Sequence, residues 1–114
     1  MEIDIKKVKI IVTIPIENTD EVRNAMCLAG AGIIGNYKYC STSTRSLGTF
    51  IPTEDANPYI GKQDELEYIE EDKLEMICDI EKVKDVITAL RSTHPYEEPA
   101  IDIMPLLDET IFFN

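Results

Sequence analysis

Hydrophobic and polar positions alternate from the start of the chain. Val8, Ile10, Val12 and Ile14 fall on one side of an extended segment, while Ile11 keeps the other side partly apolar. This predicts a first strand covered on at least one face. The period then lengthens: Val22, Ala25, Met26 and Ala29 recur at i, i+3, i+4 and i+7, the stripe of a helix that packs on a sheet. Asn18 is its candidate cap, Asp20 and Glu21 lie in the first turn where the helix dipole favours acids, and Gly30 supplies the stop. Tyr37 to Thr44 is rich in aromatic and β-branched residues and predicts a second strand, with Leu47 to Ile51 as an arm leading out of it. Pro52 and the turn-rich run Glu54-Asp55-Ala56-Asn57-Pro58 predict a long irregular loop before the third strand, and such loops in small domains tend to be functional or interfacial.

Alternation resumes over Leu66 to Asp79, with Leu74, Met76 and Cys78 on one side and Lys73, Glu75 and Ile77 on the other. Asp79 is the candidate cap of a second helix whose stripe is Val83, Val86, Ile87 and Leu90. Pro95 ends that helix, because its ring cannot continue it and biases His94 towards extended backbone. Beyond Pro99, Ile101 and Ile103 predict a fourth strand. The apolar tail Ile111-Phe112-Phe113 is expected to dock, since exposed it would invite aggregation.

The order β-α-β-β-α-β implies an α+β, ferredoxin-like fold: one antiparallel sheet in strand order 4-1-3-2, both helices on one face, and a long irregular loop between strands 2 and 3. At 114 residues the chain is expected to form a single domain, residues 1–114. Its second sheet face is then left bare, and burial between identical subunits is the simplest cover.

Charge narrows the partners. The formal net charge of −11, with no basic cluster longer than Lys6-Lys7, repels polyphosphates, so nucleic acid is not expected as a direct partner. Three cysteines, at 27, 40 and 78, form no CxxC pair and suggest neither a disulfide framework nor a zinc knuckle. A reduced, cytoplasmic setting fits them. No apolar run approaches the length that spans a bilayer, and no membrane association is expected.

Candidate chemistry gathers between the second helix and the fourth strand, from Arg91 to Leu106, which holds the only histidine of the chain. His94, Glu98 and Cys40 offer imidazole, carboxylate and thiolate to a divalent metal ion. In strand order 4-1-3-2 the second and fourth strands lie at opposite edges, so Cys40 and His94 could meet only across a subunit boundary. The alternative is that His94 closes the helix and packs on Pro95 and Tyr96 while Glu97 and Glu98 face water. Cys40 as a nucleophile would need His94 as base. The glycines from 30 to 36 could expose backbone amides as an anion nest, or serve only as turns. Tyr37, Tyr39, Arg45, Phe50 and Tyr59 could line a cleft with the long loop, or seal a contact between subunits.

Several segments, in order, carry a resemblance. Gly-Ala-Gly-Ile-Ile-Gly-Asn-Tyr at 30–37, Cys-Ser at 40–41, Gly-Thr-Phe-Ile-Pro at 48–52, Ala-Asn-Pro-Tyr-Ile-Gly at 56–61 and His-Pro-Tyr-Glu-Glu-Pro-Ala at 94–100 resemble the inserted middle domain of YqfO-type proteins. That family is also described as NGG-interacting factors or GTP cyclohydrolase I type 2 homologues. The His-Pro-Tyr-Glu corner also resembles the CutA divalent-cation-tolerance proteins. Both resemblances imply a PII/CutA-like fold and a homotrimer or an assembly of trimers. The di-metal site and hydrolase-like chemistry of YqfO-type proteins belong to flanking domains with their own histidines, so they are not carried over to this chain.

The expected function is a non-enzymatic regulatory or binding module, taking a small ligand or a divalent metal at subunit interfaces. The positions expected to meet a ligand are Gly35, Asn36, Tyr37, Cys40 and Ser41, together with His94, Tyr96 and Glu97. The alternatives are a purely structural oligomerisation module and a small metal-dependent hydrolase.

Overall fold

The first strand, β1 (Lys7–Pro15), is the spine of the molecule. In the computed structural model, which describes residues 2–113, it pairs antiparallel on one side with β3 (Glu67–Asp79) and on the other with β4 (Ile101–Leu106). The strand β2 (Thr42–Phe50) joins the free edge of β3. Among the described residues these form one four-stranded sheet in the order β2-β3-β1-β4, with β2 and β4 at opposite edges as the predicted order requires. The helices α1 (Thr19–Leu28) and α2 (Val83–Thr93) follow β1 and β3. This is the ferredoxin-like α+β arrangement.

Alternation decides which side chains meet the helices. Val8, Ile10, Val12 and Ile14 of β1 and Leu74, Met76 and Cys78 of β3 are buried with Val22 and Met26 of α1 and Val86 and Leu90 of α2. Each aliphatic side chain taken fully out of water contributes about 1.5–3 kcal/mol, so this layer dominates the stability of the fold. Among the described residues the other sheet face carries no α-helix. Ile11, 9% exposed, and Pro15, under 2% exposed and opposite Glu71, are its well-covered apolar residues, and the segment after β2 folds over Ile11.

The second strand differs from expectation. It runs over Thr42–Phe50, not Tyr37 to Thr44, and the predicted outgoing arm is its second half. The aromatic segment before it satisfies its backbone elsewhere. Gly32 N–H donates to the Ile77 carbonyl at 2.8 Å, Cys40 N–H returns to the Gly32 carbonyl at 2.8 Å, and Ile34 and Tyr37 close a tight turn by mutual bonds of 3.0 and 2.9 Å. Tyr39 sits at φ +57°, which breaks extended pairing. Gly30 does end α1, at φ +119°, a backbone state that glycine adopts at no steric cost.

Of the two predicted caps, Asn18 does hold the N-cap position of α1, whereas that of α2 falls to Lys82 and Asp79 precedes the 3-10 turn before it. A 3-10 turn precedes each helix, Ile16–Asn18 and Ile80–Lys82, and neither Asn18 nor Asp79 makes a side-chain capping bond. Asn18 Oδ1 is buried without a partner. Thr19 instead donates to Asp72 Oδ2 at 2.7 Å, tying the helix start to β3, and Lys7 approaches Asp79 at 3.7 Å. The tail forms a 3-10 turn, Glu109–Phe112, in which Ile111 is half-buried, but Phe112 and Phe113 remain 70% and 78% exposed, so those two rings do not dock on their own chain.

Register adds one further feature. Residues 71–79 of β3 pair with β1, whereas Glu67 to Glu70 pair with β2 alone. This two-stranded end projects from the sheet, and the molecule reaches 55 Å along its longest axis with a radius of gyration of 16.0 Å, against about 13 Å for a compact chain of about 100 residues.

Candidate ligand-binding site

The corner between α2 and β4 builds inward from Pro95. His94 takes extended backbone, φ −72° and ψ 133°, and its N–H closes the last turn of α2 on the Leu90 carbonyl at 2.9 Å. That turns the imidazole under the sheet, where it is 6% exposed. Nε2 lies 2.8 Å from the Thr13 carbonyl, and Nδ1 accepts the Tyr96 N–H at 3.1 Å. A carbonyl can only accept, so Nε2 carries the proton and the ring is neutral. Burial pushes its pKa down, with the Thr13 carbonyl and the nearby Glu71 pulling partly the other way.

Tyr96 extends the chain of contacts onto the open sheet face. Its ring packs 4.8 Å from that of His94 and 6.3 Å from that of Tyr59. Its hydroxyl donates to Glu71 Oε2 at 2.8 Å. Burial, and then this bond to a carboxylate, push the phenol far above its ordinary pKa. Glu71 is only 5% exposed. The strand positions it: Ser46 stands opposite in the register and its hydroxyl donates to the Glu71 carbonyl at 3.1 Å. Gly48, two residues along β2, leaves the space that Oε1 occupies, since a Cβ there would collide with Glu71 Oε1.

These groups form the floor of a cavity of about 540 Å³, within the range of small-molecule sites. Phe50 at the end of β2 and Pro52, Pro58, Tyr59 and Ile60 of the loop after it make its far wall. A bond of 2.8 Å from Asn57 N–H to Glu97 Oε1 holds that loop against the corner. Four carboxylates, Glu71, Glu97, Glu98 and Asp102, line the cavity against one basic residue, Lys73.

The predicted site residues divide between two places. Tyr96, Glu97 and Glu98 line the cavity, and His94 supports it from behind through Tyr96. Gly35, Asn36 and Tyr37 lie at an exposed turn, and Cys40 and Ser41 follow it, half-buried beside α1, where Arg23 Nε donates to Ser41 Oγ at 3.2 Å. None of those five lines the cavity. Within one chain, therefore, Cys40 is not brought to His94 and Glu98, and among the described residues no three His, Cys, Asp or Glu side chains converge where they could hold a metal ion. Both ring nitrogens of His94 are already engaged. Phe50 and Tyr59 line the cavity as one reading of the aromatic residues had it, whereas Tyr37, Tyr39 and Arg45 do not.

Sequence reasoning missed Glu71, Ser46 and Gly48. Glu71 sits in an acidic run, Glu70-Glu71-Asp72, that resembles a solvated strand end. The available signal was the pairing of a glycine and a small polar residue, Gly48 and Ser46, on one face of the neighbouring strand.

No family model matches the chain. It is 48% identical over 101 residues to the GTP cyclohydrolase 1 type 2 homolog of Halalkalibacterium halodurans, a match covering 89% of this chain and 27% of that protein. The chain is related to one segment of these homologs. The Bacillus subtilis GTP cyclohydrolase 1 type 2 homolog matches at 43% identity over 98 residues, 86% of this chain and 26% of its own length. The chain thus spans about a quarter of the length of these curated relatives. Among solved structures, the Bacillus cereus protein related to NIF3 superposes with a TM-score of 0.78 at 40% identity, covering 89% of this chain and 26% of that one. CutA from Synechococcus elongatus PCC7942 superposes at TM-score 0.69 and 14% identity over 97% of this chain and 87% of its own. PII of Arabidopsis thaliana gives 0.62 and 17%, over 92% and 79%. The last two likenesses show the fold alone. Among the described residues no helix is long and apolar enough to cross a membrane.

Proposed function

We propose that the chain is a non-enzymatic binding module, one PII/CutA-like domain that assembles as a homotrimer and takes a small ligand beside the subunit contacts. The observation that carries this reading is the cavity on the uncovered sheet face, with a buried carboxylate at its floor and an aromatic loop as its wall. A face used only for assembly has no need of a buried, hydrogen-bonded acid, because such a group is costly to desolvate and adds little to stability. The hydrolase alternative is disfavoured by the chemistry of His94, whose neutral ring spends both nitrogens on Thr13 and Tyr96. It has no lone pair left for a metal and no free position from which to act as a base.

Assembly rests on apolar exposure and on the resemblance to CutA and PII. Leu47, Tyr68, Met104, Phe112 and Phe113 are exposed, more than a small acidic monomer needs to leave bare. A cytoplasmic location accords with three free cysteines, and neither nucleic acid nor membrane is a direct partner in this reading. Native mass spectrometry of protein purified without added metal or chelator tests it. Three copies with a stoichiometric small-molecule mass are expected. Monomers at every concentration would overturn the assembly, and trimers that neither retain nor accept any small molecule would leave a purely structural module.

A further inference from the structure

The proposed binding reading leaves open what the cavity holds, and its floor limits the choice. Glu71 is 95% removed from solvent by its 5% exposure, yet only Oε2 has a partner, the Tyr96 hydroxyl. Oε1 receives no hydrogen bond from any described residue. It is also not sealed away, because among the described residues the one sealed and unpartnered side-chain oxygen is that of Asn18. Among the described residues no lysine or arginine comes within ion-pair distance of Glu71, although Lys73 lies on the same cavity wall. A carboxylate held in low dielectric with an open acceptor and no counter-charge favours a positively charged group beside it.

A metal ion is a poor candidate for that charge. It would need several ligands at close range, and among the described residues no such group converges. The rest of the cavity instead suits an organic body. Phe50, Pro52, Pro58, Tyr59 and Ile60 give an apolar wall opposite the carboxylate, and the faces of Tyr59 and Tyr96 are attractive to a cation. Glu97, Glu98 and Asp102 at the rim add negative potential, as does the net charge of −11. An anionic ligand would be repelled by all of these groups.

We infer that the cavity binds a small organic cation, an ammonium or guanidinium group on an apolar or aromatic body, with its charged end on Glu71 Oε1 and its body against Tyr59 and Ile60. This inference rests on the proposed binding reading and deepens it. Gly48 is the specificity position on the opposite strand, because only a residue without Cβ leaves the carboxylate in place.

Three probes of nearly equal shape test it on the full chain: 2-phenylethylammonium, 2-phenylethanol and 3-phenylpropionate. Each is titrated against the amide resonances of Gly48, Tyr59 and Tyr96. The ammonium is expected to bind at least about tenfold more tightly than the alcohol, with the propionate weaker still. That advantage should shrink in high salt and disappear in Glu71→Gln. The comparison of probes and the salt dependence are made on the unaltered protein, so they decide the matter even where the variant fails to fold. Alcohol binding as tight as ammonium, tighter binding of the propionate, or a preference that survives Glu71→Gln would overturn the cation inference and leave a binding module of other specificity. Movement of the same amides by zinc chloride would assign the floor to a metal and overturn it too. Failure of all three probes to move these amides would count against both this inference and the binding reading beneath it.

Discussion

The two faces of the sheet are made by alternate residues of the same strands, yet they follow different rules. On the helix side, Leu74, Met76 and Cys78 meet Ile10, Val12 and Ile14 in a layer without charge. One residue away, Glu71, Lys73 and Ile11 look onto a cavity with mixed chemistry. The first face is built by volume and tolerates no gap. The second is built by single directed bonds, Tyr96 to Glu71, Ser46 to the Glu71 backbone and Asn57 to Glu97, and keeps a gap. The larger share of the folding free energy comes from the helix face, and the other face has room to carry chemistry.

The contrast breaks if the faces respond alike to mutation. Leu74→Ala removes a side chain with no exposure from the middle of the core and should lower unfolding free energy by about 2–5 kcal/mol. Its neighbour Lys73→Ala should stay within about 0.5 kcal/mol. Urea denaturation of both variants gives the answer, and equal losses would mean that the open face is a second core. Tyr96→Phe comes next. It leaves Glu71 Oε2 without its donor and should cost about 1–3 kcal/mol, with the amides of Ser46 and Glu71 shifted in the NMR spectrum.

Gly48→Ala sharpens the comparison further, because it adds volume to the face that keeps a gap. The Cβ must displace the flexible end of Glu71, so the stability change should be about 1 kcal/mol or less, while binding of a cationic probe falls more than stability does. A large stability loss with unchanged binding would contradict that division of labour.

The smallest effect is a dependence on pH. His94 is buried neutral, with its pKa held below the usual 6.5 by desolvation. The unfolded chain therefore binds the proton first as pH falls, and stability is full above about 6.5 and declines below it until the folded-state pKa is passed. Asp72 acts in a separate, more acidic window. Hydrogen bonding from Thr19, and then from Arg45, holds its carboxyl below the usual 3.8, so its contribution is present above that value and is lost as pH falls through the lower folded-state pKa. Chemical denaturation from pH 7 to 5 should show the first slope in the natural chain and lose it in His94→Gln. An unchanged slope in that variant would remove His94 as its source.

Periodicity carried the helix face into view from the sequence. Val8 to Ile14, Val86 and Leu90, and Leu74 to Cys78 announce their burial because a core is a repeating pattern. The capping turns did not follow simple rules, since tertiary bonds such as Thr19 to Asp72 replaced local ones. The second strand was misplaced because Tyr37 and Tyr39 have strand-like side chains on a backbone whose bonds close locally. The open face was half legible. His94, the only histidine of the chain, stood out with Tyr96 and Glu97 beside it at a helix-to-strand corner. Glu71 did not, because its burial depends on Gly48 across the register and on Tyr96 from a distant segment, and neither relation leaves a periodic trace.

The projecting end of β3 has a consequence for motion. Glu67 to Glu70 have a partner strand on one side only, and a two-stranded ribbon is marginal by itself. Amide protons there can exchange through local opening, whereas those of residues 72–78, held between β1 and β2 or behind the core, wait for larger unfolding. The loop that walls the cavity is tethered to this ribbon through Phe50 at one end and Glu67 at the other. Through that tether, fraying of the ribbon is expected to loosen the cavity wall, and an occupant that braces Tyr59 is expected to slow hydrogen exchange several residues away, in a segment it never touches.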